Sequence, residues 1–212
     1  MSFQAEDKEF WKTRSRNHER RDWGDKGNWI QGYWDSRNHP HREYIVKALK
    51  KFRPFKNLLE VGCNCGPNLW VIKKSFPAVE VAGIDINKPA IFFGNEHFPK
   101  TLFHYGEAEN MPFYNKTFDV LLADAVLIYV EPKKIHKVIQ EFLRVTKKAL
   151  VFVEWYDDKS TLGVIKDFHW SRNYAQLLKG YGLRVTKTKI TPEMWPNEKW
   201  HTHGYIFTSR LR

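Results

Sequence analysis

The sequence has only two cysteines, no long apolar run and no internal repeat. One residue separates Cys63 from Cys65, so a disulfide between them would be strained. No apolar stretch approaches the roughly 20 residues that a helix needs to span a bilayer. Residues 1–16 contain no apolar core, which predicts the absence of a secretory signal. Together these features predict a reduced, cytoplasmic protein without a membrane span.

The positive charge is concentrated at the two ends of the chain. The 212 residues, 42% hydrophobic and 28% charged, suit one soluble domain. Residues 1–56 carry 14 Lys/Arg against 8 Asp/Glu, residues 57–156 carry 11 against 11, and residues 157–212 carry 10 against 5. Seven of the nine tryptophans also lie in the two flanks. This pattern predicts a generic core with a specialised rim, although a basic surface can also serve solubility alone.

Apolar, strand-like runs alternate with helical periodicity through the middle of the chain. Strands are predicted over 57–61, 79–85, 101–107, 118–124 and 149–155, and helices over 39–52, 68–76, 88–98 and 132–147. Such alternation predicts an α/β fold with a parallel sheet covered on both faces.

The C-terminal part changes pattern. A helix is predicted over 170–182, and strands over 183–190 and 203–210 follow with no helix between them. Strands joined without a crossover helix pair best in antiparallel fashion. The linking segment 191–202, TPEMWPNEKWHT, is polar and interrupted by proline, so no further element is expected there. Loops of this kind commonly contact substrates.

The stretch LLEVGCNCGPN, residues 58–68, places both cysteines between glycines. A CxC pair supplies at most two of the four ligands that structural zinc requires, and a CxxC redox motif has one more residue, so no metal site is predicted. The stretch instead follows a strand and opens a helix. There, free backbone N–H groups attract polar or anionic ligand atoms, and glycines such as Gly62 and Gly66 let a ligand approach the backbone.

An acidic residue, Asp85, ends the second predicted strand about twenty residues after the loop. A carboxylate in that position can accept hydrogen bonds from both hydroxyls of a ribose. The loop and Asp85 therefore predict a nucleoside-containing cofactor at the carboxyl edge of the sheet. A dinucleotide would call for GxGxxG, and the third glycine of that pattern is missing here.

Residues 60–66 read Glu-x-Gly-x-Asn-x-Gly, and this pattern resembles motif I of the class I S-adenosylmethionine-dependent methyltransferases. AGIDIN (82–87) and GEAENMPFYNKTFDVLLADAVLIYV (106–130) resemble further motifs of the ubiquinone/menaquinone-type, methyltransferase-11-like branch. The resemblance covers residues 57–156 well and the rest in outline. It implies a Rossmann-like fold with a mostly parallel seven-stranded sheet, an antiparallel last strand and helices on both faces.

The resemblance also implies site residues and a cofactor, S-adenosylmethionine, with S-adenosylhomocysteine as product. The methionine and ribose end would be lined by Glu60, Gly62, Cys63, Asn64 and Gly66. Asp85 would hold the ribose hydroxyls, with Ile86 against the adenine. Glu107 and Ala108 would lie beside the adenine amine, and Ala123 and Asp124 under the methionine. Asn64, Glu107 and Tyr129 depart from the usual residues of the family.

Catalytic candidates must lie at the carboxyl edge of the sheet, because positioning of the acceptor supplies much of the rate. Asp124, Glu154 and Tyr129 are predicted to lie there. Asp124 could instead bind the methionine amino group, and Glu154 could cap a loop. Three histidines, His169, His201 and His203, are further candidate bases. Trp23, Trp29, Tyr33 and Trp34 suggest either a lid over the cofactor or a satellite core.

The predicted function is transfer of a methyl group to an oxygen or nitrogen of a small or medium-sized acceptor, anionic or glycosidic, by in-line displacement. No (D/N)PP(Y/F) motif follows the fourth predicted strand, which disfavours base-amine and glutamine methylation. The alternatives are an RNA-modifying or RNA-binding protein, a non-catalytic cofactor-binding regulator and a dehydrogenase. A single domain is expected, with an N-terminal lid and helix (1–56), a cofactor-binding core (57–156) and an acceptor-side C-terminal part (157–212).

Overall fold

A computed structural model describes residues 8–14 and 29–211. The α-helices are α1 (Lys8–Thr13), α2 (Trp29–Asp35), α3 (His41–Lys50), α4 (Pro67–Ser75), α5 (Lys88–His97), α6 (Ile135–Val145), α7 (Tyr174–Lys179) and α8 (Glu198–His203), with 3-10 helices at Ser36–Asn38 and Leu127–Tyr129. The strands are β1 (Asn57–Val61), β2 (Glu80–Asp85), β3 (Leu102–Tyr105), β4 (Phe118–Asp124), β5 (Thr146–Trp155), β6 (Val164–Lys166), β7 (His169–Ser171), β8 (Val185–Lys189) and β9 (Gly204–Arg210).

Seven strands form one sheet in the order β3-β2-β1-β4-β5-β9-β8. The pairs from β3 to β5 are parallel, whereas β9 runs antiparallel to both β5 and β8. The predicted fold class is therefore confirmed, including the antiparallel last strand. The parallel strands bring the carboxyl ends of β1, β2 and β4 to the same edge of the sheet.

The two faces of the sheet are covered by different helices. In β1, Leu58 packs on the side of α3 and α4, and Leu59 packs on the side of α6 and α7. In β4, Leu122 and Leu121 divide in the same way, since successive side chains of a strand point to opposite faces. All four leucines are fully buried, which explains why strands covered on both sides read as continuous apolar runs.

The C-terminal part differs from the prediction in two places. The segment 191–202 contains most of α8, because the Asn197 side chain accepts a hydrogen bond from the Lys199 amide at 3.1 Å and starts a helix after the prolines. The helix predicted from residue 170 begins only at Tyr174, where Asn173 provides the N-cap. The preceding residues form a β6–β7 hairpin whose two turn residues, Asp167 and Phe168, have positive φ.

Within residues 8–14 and 29–211, no helix combines the length and the apolar character that a bilayer crossing requires.

Candidate functional site

The turn after β1 needs glycine for two reasons. Gly62 has φ +70°, and a Cβ there would lie 2.2 Å from a methyl carbon of Val126. Its amide donates to the Ile84 carbonyl at 2.8 Å, which ties the turn to β2. Gly66, with φ +86°, is the N-cap of α4. The turn is thus pressed between two strands, with its backbone at the carboxyl edge of the sheet.

Asn64 stands where the family pattern has its central glycine. Its φ of +52° is a conformation that asparagine tolerates better than most residues. The Asn64 side chain accepts from the Cys65 amide at 2.8 Å, and the Asn64 amide donates to Asp85 Oδ2 at 2.8 Å. A second backbone amide, that of Asn87, donates to Asp85 Oδ1 at 2.7 Å. These bonds fix the carboxylate at the tip of β2, while burial raises the pKa of Asp85 to about 6.

The two thiols are buried packing groups. Cys63 fills the space beside Gly83 of β2, where an added Cβ would lie 2.5 Å from the Cys63 sulfur. Cys65 packs in the small cluster of α2 and α5, and its thiol faces the Ile30 carbonyl at 3.5 Å. Burial raises the pKa of both thiols. No group of three or more metal-ligating side chains occurs among the residues that the structure describes.

A buried polar cluster joins the ends of β1 and β4. Asn68, on α4, donates from Nδ2 to Glu60 Oε1 at 2.6 Å and to Asp124 Oδ2 at 2.8 Å. Its Oδ1 accepts from the buried Arg42 guanidinium. Within the described residues, Glu60 Oε2 and Asp124 Oδ1 are buried without a hydrogen-bond partner. Two carboxylate oxygens are therefore available to a cationic group beside the loop.

The first cleft lies over the loop and the tips of β2 and β4, and extends to residues 106–109. Its volume is about 980 Å³ when the part open to solvent is included. The predicted cofactor residues on its wall are Gly62, Asn64, Asp85, Ile86, Ala108 and Asp124.

The other predicted cofactor residues lie off that wall. Glu60 and Cys63 line the adjoining second cleft. Gly66, Glu107 and Ala123 line neither cleft.

The second cleft is wider, at about 1610 Å³, and is rich in aromatic rings. Rings on its wall come from Tyr33, Tyr129, Trp155, Trp195 and Trp200. Trp195 and Trp200 stack at 4.0 Å between ring centroids, and His41 stacks on Trp195 at the same distance. The rings of Trp200, Trp195 and His41 are thus in continuous contact. The segment predicted to be a loop supplies the two tryptophans and Lys199.

The three predicted catalytic residues occupy different environments. Tyr129 lines both clefts and contacts the rings of Trp11 and His169, with centroids 5.0 and 5.2 Å away. Asp124 also lines both clefts. Glu154 is fully buried and lines neither.

The Glu154 carboxyl caps the 3-10 helix at Leu127–Tyr129. Its Oε1 accepts from the amides of Val126 and Leu127 at 3.0 and 2.9 Å, and its Oε2 from that of Ile128 at 3.1 Å. Burial raises the pKa of Glu154 to about 8, against the effect of these bonds. Of the two roles considered from the sequence, catalysis and capping of a loop, this arrangement fits capping.

The structure brings two further histidines, His39 and His41, onto the second cleft. His41 Nε2 lies 3.0 Å from Asp124 Oδ2, and the Nδ1 atoms of His39 and His41 are 2.5 Å apart. Of the histidines predicted from sequence, His169 lines this cleft, whereas His201 and His203 do not. The sequence contained a signal for these two histidines. A helix that leads into a parallel strand begins at the carboxyl edge of the sheet, and residues 39–41, His-Pro-His, stand at the start of such a helix.

The aromatic residues of the N-terminal segment divide between two environments. Trp29 and Trp34 are buried in a satellite cluster with Phe93 of α5. Trp11 and Tyr33 instead line the first cleft. Trp23 lies outside the described residues.

Asn87 ties α1 to the end of β2. Its Nδ2 donates to the carbonyls of Trp11 and Arg14 at 2.8 and 2.9 Å, while its Oδ1 caps α5 through the Ala90 amide. The short helix is thereby held over the first cleft.

Comparison with known proteins agrees with this geometry. Residues 58–149 match the family model described as "Methyltransferase domain". A demethylmenaquinone methyltransferase of Thermotoga maritima is 23% identical over 166 residues, which is 74% of this chain and 71% of the relative. These findings support a class I S-adenosylmethionine-dependent methyltransferase. Its cofactor is S-adenosylmethionine.

Solved structures share the fold of this methyltransferase. A SAM-dependent methyltransferase from Aquifex aeolicus has a TM-score of 0.63 and 18% identity, covering 87% of this chain and 97% of that one. The plantazolicin methyltransferase BpumL in complex with SAH has a TM-score of 0.62 and 18% identity, covering 90% and 92%.

The residues present fit this cofactor. Its methionine part carries an ammonium group, and the orphaned oxygens of Glu60 and Asp124 supply acceptors for a cation. Its ribose requires a fixed acceptor, and two backbone amides fix the Asp85 carboxylate. The fit therefore rests on three carboxyl groups whose oxygens can accept hydrogen bonds from the cofactor.

Proposed function

We propose that this methyltransferase binds S-adenosylmethionine in the first cleft. Its acceptor, a small or medium-sized anionic or glycosidic molecule, would bind in the second cleft and be methylated on an oxygen or nitrogen. The bound cofactor supplies an electrophilic methyl group on sulfur, so the chain has to align the acceptor for in-line displacement.

The observation that carries the proposal is that the two clefts share one wall. Six residues line both of them: Tyr33, Gly62, Asn64, Asp124, Ala125 and Tyr129. A molecule in the second cleft would therefore meet the first cleft at the tips of β1 and β4. Transfer between the two sites requires this contact.

The lining of the second cleft supports an acceptor with a flat or ring-shaped face. The paired rings of Trp195 and Trp200 offer an extended apolar surface. Trp155 Nε1 is buried and has no hydrogen-bond partner within the described residues, so it is available as a donor to the acceptor. Lys199 lies on the same wall, half exposed and 3.6 Å from the exposed Asp167 carboxylate, and its ammonium suits a negatively charged group.

For the cofactor, we assign Asp85 to the ribose hydroxyls and Ile86 and Ala108 to the adenine end. Glu60 and Asp124 would accept from the methionine ammonium, with the backbone of Gly62 and Asn64 beneath it. Within the N-terminal segment, α1 would act as a lid, which the contact between Trp11 and Tyr129 supports.

For the acceptor side, we assign Tyr129 to orienting the acceptor, since its ring lies on the shared wall. Glu154 is not assigned to proton transfer, because its carboxyl is buried and occupied by three backbone amides. Its contribution would be to hold the helix that carries Tyr129.

A methyl-transfer assay tests the proposed function. The chain is incubated with methyl-labelled S-adenosylmethionine and a size-fractionated cell extract, with and without ribonuclease. Label in a ribonuclease-resistant, small-molecule fraction is the expected result. Label that ribonuclease removes would favour the RNA alternative, and binding of the cofactor without any transfer would favour a regulator.

A pair of variants tests the assignment of the second cleft. Trp200→Ala should reduce transfer at least tenfold and leave affinity for S-adenosylhomocysteine within about twofold, because the ring lies outside the first cleft. Trp170→Ala is the control, since Trp170 lines neither cleft. Equal transfer by both variants and the parent would place the acceptor elsewhere.

A further inference from the structure

Two adjacent histidines connect the second cleft to the Asp124 carboxylate. His41 begins α3 and is almost completely buried, with 4% of its surface exposed. His39 is half-buried on the wall of the second cleft. Their Nδ1 atoms face each other, and His41 Nε2 faces Asp124 Oδ2. The three side chains form one line from a buried acid to an open cleft.

The hydrogen bonds determine which nitrogens carry protons. Asp124 is ionised because His41, Arg42 and Asn68 lower its pKa despite burial, and a carboxylate only accepts. Burial lowers the pKa of His41 although Asp124 opposes this, and the neutral ring carries its one proton on Nε2, facing Asp124. Its Nδ1 is then an acceptor. His39 then donates from Nδ1. No residue in the described part of the chain bonds His39 Nε2, so its lone pair remains available in the cleft.

We propose that His39 is the general base of the methyl-transfer reaction and that His41 and Asp124 position it. This inference rests on the proposed function, in which the acceptor occupies the second cleft. It narrows the acceptor to molecules whose nucleophile loses a proton, namely a hydroxyl or a protonated nitrogen.

The acceptor loses a proton as it receives the methyl group. The acceptor oxygen or nitrogen forms a bond to the methyl carbon as the carbon–sulfur bond breaks, and that electron pair stays on sulfur. The acceptor proton moves to His39 Nε2. The Nδ1 proton of His39 can then pass to His41 Nδ1, which places the positive charge beside the Asp124 carboxylate, 3.0 Å away. The charge is thereby stabilised without entering solvent.

The surroundings keep His39 unprotonated. Burial, His41 and Arg42 lower the pKa of His39 to about 4, and Asp124 opposes them. The charged or basic groups that share the cleft wall with the pair are Arg42, Glu60, Asp124, His169 and Lys199. An acceptor hydroxyl becomes strongly acidic once its bond to carbon forms, so a weak base suffices if it is free at neutral pH.

Histidine NMR tests the arrangement without any acceptor. In the parent chain labelled with 15N-histidine, His41 should show the Nε2–H tautomer and His39 the Nδ1–H tautomer, with His39 still neutral at pH 5.5. In Asp124→Ala, the preference of His41 for Nε2–H should weaken. An Nε2–H tautomer at His39, or titration of His39 near the ordinary value of about 6.5, would overturn the proposal.

Kinetics separate this proposal from the proposed function. With the labelled extract fraction and saturating cofactor, parental transfer should be independent of pH from about 6 upward. His39→Gln should lose about 100-fold at pH 7, regain rate as pH rises and ionises the acceptor, and keep its affinity for S-adenosylhomocysteine. His136→Gln is the control, because His136 pairs with Tyr181 and lines neither cleft. Its transfer rate should match that of the parent.

Parental rates from His39→Gln across the pH range would overturn the base assignment while the proposed function stands. A parent that transfers no label would instead count against the proposed function. The tautomers of His39 and His41 would still decide the relay.

Discussion

Glu154 and Arg172 both bond the backbone of one short 3-10 helix, Leu127–Tyr129. The carboxyl of Glu154 accepts from the amides at its start. The guanidinium of Arg172 donates to the carbonyls of Leu127, the first residue of the helix, and Val130, which follows the helix. Both side chains are fully buried, so the position of Tyr129 on the cleft wall is set by a carboxyl group and a guanidinium that solvent does not reach.

Glu154→Gln should destabilise the fold more than it weakens cofactor binding. Glutamine can still accept from two amides, but its NH2 group cannot accept from the third, and a buried unsatisfied donor costs about 1–3 kcal/mol. Thermal unfolding followed by circular dichroism should show a lower Tm, with affinity for S-adenosylhomocysteine within a few fold of the parent. A parental Tm combined with lost transfer would instead indicate a catalytic carboxyl.

Asn87→Asp should detach α1 from the first cleft without removing the cap of α5. Aspartate still accepts from the Ala90 amide, but it cannot donate to the carbonyls of Trp11 and Arg14. Losing two hydrogen bonds that hold a lid should speed dissociation of S-adenosylhomocysteine roughly tenfold. Stopped-flow tryptophan fluorescence measures this rate. An unchanged rate would show that α1 does not retain the ligand.

Cofactor binding should release a proton through Glu60. Burial raises the pKa of Glu60 well above its usual value, which favours the protonated form in the free protein. An ammonium group next to the carboxyl favours the ionised form, and affinity should therefore rise with pH. Calorimetry with S-adenosylhomocysteine at pH 7, in buffers of different ionisation enthalpy, measures the release.

The same titration with Glu60→Gln is the control. The variant should release less proton than the parent. Equal proton release by the two proteins would mean that Glu60 does not face the ammonium.

Replacing both thiols should leave the cofactor site intact. Cys63→Ala/Cys65→Ala removes two buried sulfur atoms, which should cost about 1–2 kcal/mol of stability through lost packing. Affinity for S-adenosylhomocysteine should stay within a few fold. Unfolding of the parent by a chelator would show that the thiols bind a metal, and this result would contradict the packing role.

The sheet could be predicted from sequence because each strand carries its own local signal. Asn57–Val61 and Phe118–Asp124 have the predicted bounds, since buried strands read as apolar runs. Short elements such as Glu198–His203 depend on a single cap and were missed. The β6–β7 hairpin was missed because its turn residues, Asp167 and Phe168, give no glycine or asparagine signal for positive φ.

The site was predictable to the extent that it lies on contiguous motifs. The loop after β1 and Asp85 were found because strand, glycine turn and acid follow one another along the chain. The line from His39 to Asp124 joins residues about 85 positions apart, and only the order of the sheet brings them together. Burial also separates similar carboxyls. Asp124 ends β4 and Glu154 lies one residue before the end of β5, but only Asp124 lines a cleft.

Calorimetry with S-adenosylhomocysteine on two variants of strand β2 tests the cofactor assignment most directly. Asp85→Ala removes the carboxyl at the end of the strand beside the loop. Glu80→Ala removes an exposed carboxyl at the other end. Asp85→Ala should bind at least tenfold more weakly, since hydrogen bonds to a charged group contribute about 1.5–3 kcal/mol. Glu80→Ala should keep the parental affinity. Parental affinity in both variants, or no binding heat from the parent chain, would contradict the cofactor assignment.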